Sequence, residues 1–172
     1  MRFRRSVLGG LAGGLVMIIA LAIARAAGLT RLDLTMWIGS FVVLSPGPIA
    51  WIVGAILELL ASAVIGVVYG LCFEFLTHRA NVWIGTLFGG MQAIVVGFAI
   101  MFLAFMNPFM YRAPGPAPAG RLLTPGAFAA NYGSVTVFGL VGLIILFGAI
   151  RGAVYGSSSP LKHSPGGWRH TG

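Results

Sequence analysis

Four long apolar runs, each bounded by helix breakers or polar residues, decide most of what this chain can become. They cover about residues 6–27, 49–76, 82–106 and 127–155. A hydrocarbon core about 30 Å thick needs about 20 consecutive apolar residues in helical form. Each run meets that length, and none alternates in the period-two manner of a barrel strand, so helices are expected. Breakers stand where such helices must end: Ser45-Pro46-Gly47-Pro48 before the second, Asn107-Pro108 after the third and Thr124-Pro125-Gly126 before the fourth. The expected fold class is all-α, a polytopic membrane protein with four transmembrane helices in one domain over residues 1–156. A disordered basic cytoplasmic tail is expected over 157–172.

Composition points the same way. The chain is 58% hydrophobic and 8% charged, where a soluble domain carries about 25% charged residues. Its acids are Asp33, Glu58 and Glu74, and the net charge is +8. That charge does not read as a nucleic-acid surface. The basic residues gather at run ends and tails, as the positive-inside rule places them, with no stripe interleaved with aromatics. Cys72 is the single cysteine, so no intrachain disulfide is expected.

The basic start Met1-Arg2-Phe3-Arg4-Arg5, with Ala22-Ile23-Ala24 further on, resembles a secretory signal. The apolar stretch is longer than a signal core, so a retained helix is expected. With the N-terminus inside, seven of the eleven Lys and Arg fall on the inner flanks (Arg2, Arg4, Arg5, Arg79, Arg151, Lys162, Arg169). The outer side receives Arg25, Arg31, Arg112 and Arg121. Both termini are therefore expected in the cytoplasm. The connection at His78-Arg79-Ala80-Asn81 is short and makes the second and third helices antiparallel neighbours. Residues 34–44 are too few to span and too apolar for open water. They are expected to form a short interfacial or re-entrant helix in the first outer loop, with Trp37 as an interface anchor. The Pro-, Gly- and Ala-rich stretch 107–126 is expected to be irregular.

Glycine adds a second layer of order. Gly9, Gly13 and Gly14 are echoed by Gly85, Gly89 and Gly90, an offset of 76. Gly66-Val67-Val68-Tyr69-Gly70 is answered by Gly152-Ala153-Val154-Tyr155-Gly156, an offset of 86. The pattern reads as two duplicated parallel hairpin repeats, with ten extra residues in the second outer loop. Small residues four apart allow helix backbones to approach where lipid gives no hydrophobic drive. Gly9, Gly13, Gly66, Gly70, Gly85, Gly89, Gly148 and Gly152 are the expected packing positions, within a bundle or between copies in a homo-oligomer or larger membrane complex.

Glu58 is the residue singled out for chemistry. It lies about nine residues inside the second run, roughly 13 Å deep at 1.5 Å per residue. A carboxylate there must be protonated or paired, with Arg25 on the first helix as a partner. It reads either as a proton or cation site or as a hydrogen-bonded carboxyl that fixes helix packing or is reached by water from the outer interface. Glu74 is expected to meet Arg79 or Arg151 at the inner interface, Gln92 to hydrogen-bond between helices, and Tyr69 and Tyr155 to act as interface aromatics. No histidine lies at membrane depth to hold haem, and no zinc-protease, nucleophile-elbow or P-loop pattern is present. No cofactor, metal or enzymatic activity is expected.

The opening Gly9-Gly10-Leu11-Ala12-Gly13-Gly14, the Leu32-Asp33-Leu34 stretch, Val67-Val68-Tyr69-Gly70 and the Gly85–Gly90 segment carry a resemblance. On these residues the chain resembles a family of uncharacterised small four-helix bacterial integral membrane proteins, a domain of unknown function. The resemblance implies a multi-pass protein of the bacterial cytoplasmic membrane and supplies no functional residue. The function expected is a structural or accessory membrane component, with a small transporter or channel built on Glu58 as the alternative.

Overall fold

The computed structural model describes residues 3–78, 80–111 and 118–156. Four helices are long and apolar enough to cross a membrane. They are α1 (Phe3–Ala26), α3 (Pro48–Cys72, continued by a π-helical turn Phe73–Thr77), α4 (Val82–Met106) and α5 (Ser134–Gly156). A shorter helix, α2 (Leu34–Val43), lies between α1 and α3. The tail 157–172 and the flanking Arg2, Arg79 and Arg112 fall outside the described residues.

Local chemistry sets the helix ends. Asp33 caps α2 by accepting from the Met36 amide at 3.0 Å, and Asn81 caps α4 by accepting from the Ile84 amide at 2.9 Å. Pro48 opens α3 after Gly47, where its missing N–H costs nothing. The α4 helix stops where Asn107 turns extended ahead of Pro108.

The fourth span differs from the sequence expectation of 127–155. Residues Ala127–Tyr132 form a separate 3₁₀ segment, inside which Phe128 and Ala129 have φ of 53° and 60°. That backbone cannot continue an α-helix, so α5 starts only after Gly133. The Phe128 ring occupies the space that a side chain on Gly97 would need and stacks edge-on to Phe98, with centroids 5.2 Å apart. The described part of 107–126 is not wholly irregular either. Met110–Tyr111 (β1) and Leu122–Leu123 (β2) pair as a two-residue parallel bridge, a small β element among described residues that are mostly helical.

Packing follows the small residues. Gly10 and Gly14 of α1 lie against Ser62 of α3, and Gly66 lies against the Ser6 carbonyl and Gly10. Gly70 faces the Ser6 hydroxyl. Across the bundle, Gly85 and Gly89 of α4 meet Gly148, Gly152 and Ile145 of α5. The remaining ridge of α1 serves another neighbour: Gly9 and Gly13 admit Val154, Arg151 and Phe147 of α5. The eight glycines expected to pack all do so within one chain. Among the four long helices the closest pairs are α1 with α3 and α4 with α5, whereas α3 and its π-helical end meet α4 through the rings of Tyr69, Phe73 and Phe88. Outward faces stay apolar, with Leu15, Ile52, Leu60, Val95, Phe102 and Phe138 exposed.

The α2 helix is wedged into the end of the bundle where α1 finishes and α3 begins. Gly39 sits on the Ala50 carbonyl of α3, and Gly54 of α3 sits on the Thr35 carbonyl, so the two backbones touch. Asn107, at the exit of α4, donates to the Ser40 hydroxyl at 2.7 Å. Trp37 is therefore no interface anchor. It is buried in a cluster with Leu21, Ile100 and Ala104, because the small residues of α2 let the whole helix sink between its neighbours.

Candidate functional site

Polar groups inside the bundle fall into three levels. The first is built where α1 ends. Its last turn presents Arg25, and the chain then turns at Gly28 and returns to the α2 cap. That return brings Asp33 against Arg25, and the two form an ion pair. Arg25 is thus not the partner of Glu58, because Asp33 lies nearer and takes it at the rim. Thr30 and Thr136 share a hydrogen bond of 2.7 Å at the same end. Arg25 also lines an open cleft of about 560 Å³ with Thr30, Arg31 and Trp51.

Glu58 lies below. Its helix presents Gly54, Glu58, Ser62 and Gly66 inward at four-residue spacing, and Glu58 is 6% exposed. Because Gly54 lets α2 approach, the Thr35 hydroxyl reaches the carboxyl and donates to Oε2 at 2.9 Å. The other oxygen, Oε1, is buried with no hydrogen-bond partner, as is Nε1 of Trp37 on the same short helix. The sequence placed Glu58 inside correctly but not its partner, since Thr35 belongs to a segment read as lying at the interface.

The third level holds a residue the sequence reading misplaced. Arg151 was counted with the inner flank, yet it is 2% exposed inside the bundle. Its ridge on α5 is Phe147, Gly148, Arg151, Gly152 and Tyr155, all buried. An arginine between two packing glycines on one ridge is aimed at the neighbours those glycines admit, and that spacing was the available signal. From there Nη2 donates to the Ser62 carbonyl at 3.1 Å and Nη1 to Gln92 Oε1 at 3.4 Å. The guanidinium carbon lies 3.3 Å from the Phe147 ring centroid and 4.5 Å from that of Tyr69. The Tyr69 hydroxyl donates to the same Gln92 oxygen at 2.7 Å. Nε is buried without a partner.

Two further expectations change here. Tyr69 and Tyr155 are buried, not interfacial, because each hydroxyl has an internal acceptor: Gln92 for Tyr69 and Glu74 for Tyr155. Arg151 bonds to Ser62 and Gln92 rather than to Glu74, and Gln92 does bond between helices as its uncharged amide suggested. Among the described residues no group of three or more His, Cys, Asp or Glu comes together as a metal site.

The fold and site define a class: an apolar four-helix bundle, plus one inserted short helix, that buries a carboxyl and a guanidinium not paired with each other. Comparison with protein families, curated proteins and solved structures finds no match to this chain.

Proposed function

We propose that this chain is a multi-pass integral membrane protein of a bacterial cytoplasmic membrane, with both termini inside, and that it works as a small transporter or channel for a proton, cation or small solute. The observation that carries this reading is Glu58, buried with one oxygen held by Thr35 and the other without a hydrogen-bond partner. An ionised group in hydrocarbon costs several kcal/mol unless paired, and such residues mark ion or proton pathways. With a single neutral donor, Glu58 is suited to exchange a proton or to hold a cation at Oε1. The test is flux into liposomes containing wild type or Glu58→Gln, under proton and cation gradients. Flux lost in the variant supports the reading.

A second reading, a structural or accessory component akin to the small four-helix bacterial proteins it resembles, is favoured by the use of every packing glycine inside one chain. Absence of flux under all gradients would leave that reading ahead.

The contacts also support descent from a duplicated two-helix unit, in a register one residue shorter than the glycine pattern suggests. Gly66 rests on the Ser6 carbonyl and Gly10, as Gly152 rests on the Asn81 carbonyl and Gly85. Gly10 meets the Ser62 carbonyl, as Gly85 meets that of Gly148. The first helices correspond at an offset of 75 and the second at 86. Glu58 then matches Ile144, so the acid belongs to one half alone.

A further inference from the structure

We propose that the cluster of Arg151, Gln92 and Tyr69 is a binding site for a small monovalent inorganic anion of the halide class.

Charge is the first reason. Arg151 lies among four helices, with Gly9 and Phe147 beside it and Ser62, Tyr69 and Gln92 around its head. No carboxylate pairs with it among the described residues. Asp33 is taken by Arg25, Glu74 accepts from Tyr155, and Glu58 is held by Thr35. Removing an ion from water costs several kcal/mol even after relaxation. Two ring faces and one carbonyl offset part of that cost. A counter-ion completes the balance, and a single positive charge calls for a single negative one.

Unused donors are the second reason. The Nε–H of Arg151 is buried and has no acceptor. Gln92 spends its carbonyl oxygen on Tyr69 and Arg151, which fixes its orientation and leaves its amide NH₂ as a further donor on the same group. Charge-assisted N–H donors of this kind are what an anion requires. The neighbours that touch the Arg151 head are the Phe147 and Tyr69 rings, the Ser62 carbonyl and the Gln92 amide, so one guanidinium matches one negative charge better than a multivalent oxyanion.

This proposal is independent of Glu58, and its test needs no transport. The purified full chain in detergent is melted in sodium bromide and in sodium gluconate at matched ionic strength. A bound anion raises the melting temperature in a saturable way. Wild type and Glu58→Gln are expected to show the bromide shift, and Arg151→Gln to lose it. Should Arg151→Gln fold poorly, bromide anomalous scattering from wild-type crystals gives the second readout, a peak within hydrogen-bond distance of Nε. Equal melting in both salts, a shift undiminished in Arg151→Gln, or crystals without bromide at Nε would overturn the proposal. A bromide shift with no Glu58-dependent flux would overturn only the transport reading.

Discussion

Arg151 donates from Nη2 to the backbone carbonyl of Ser62 at 3.1 Å, joining α5 to α3 where the two helices otherwise scarcely meet. The same carbonyl lies where a side chain on Gly10 would project, so a bare glycine on α1 keeps that oxygen within reach of the charge.

Gly10→Ala and Gly66→Ala should each be destabilising. The added methyl meets the Ser62 carbonyl in one case and the Ser6 carbonyl in the other, neither of which is a movable side-chain end. Overpacking of this kind costs about 1–3 kcal/mol. Gly139→Ala and Gly142→Ala, on the open face of α5 with nothing nearby, should instead be neutral or gain about 0.5–1 kcal/mol. Thermal unfolding in detergent separates the two pairs, and equal effects across all four variants would refute the packing scheme.

Asp33 has two roles that two substitutions divide. Asn in its place keeps an oxygen for the Met36 amide but loses the ion pair with Arg25. Because Arg25 is 37% exposed, that loss should stay below about 1 kcal/mol. Ala removes the cap as well and should cost about 1 kcal/mol more. Chemical unfolding of the two variants in detergent checks the ranking.

Thr35→Val removes the one donor to Glu58, and its cost should depend on whether the acid is present. In wild type, a buried carboxyl left without its hydrogen bond costs about 1–3 kcal/mol. In a Glu58→Leu background the same change should cost much less, giving a coupling of about 0.5–3 kcal/mol in a double-mutant cycle. Additive effects would mean that the hydrogen bond contributes nothing.

Tyr132 supplies a pH signature outside the spans. Its hydroxyl donates to the Leu123 carbonyl at 2.7 Å, and burial, with the Asp33 charge adding to it, pushes the phenol from 10.0 up to about 12. Folding thus favours the protonated form. The stability gained is whole below pH 10.0 and is lost as pH climbs to about 12, at most about 2–3 kcal/mol. The stability difference between wild type and Tyr132→Phe should shrink across that window when melting temperatures are compared at each pH.

The long helices were legible because breakers and apolar length are both local properties. Asn81 and Asn107-Pro108 delimit α4 at Val82–Met106, matching the bounds read from the sequence. The start of α5 was not legible. Apolarity runs unbroken through Ala127–Tyr132, and nothing in it reports that Phe128 and Ala129 turn left-handed to seat a ring over Gly97. The burial of Glu58 followed from its depth in an apolar run. Its partner did not, because Thr35 is brought there by the contact of Gly39 and Gly54 between α2 and α3. Arg151 was missed because charge near a helix end reads as a flank unless its ridge is traced.

Chain order gives the Arg151 site a history. Domains and helices emerge N-terminal first during synthesis. Ser62 and Tyr69 in α3 and Gln92 in α4 therefore leave the ribosome before α5 does. The arginine arrives with the last helix, when its carbonyl, amide and ring partners have already been made. A buried guanidinium can thus enter as the closing piece of a prepared receptacle, its partners already in place.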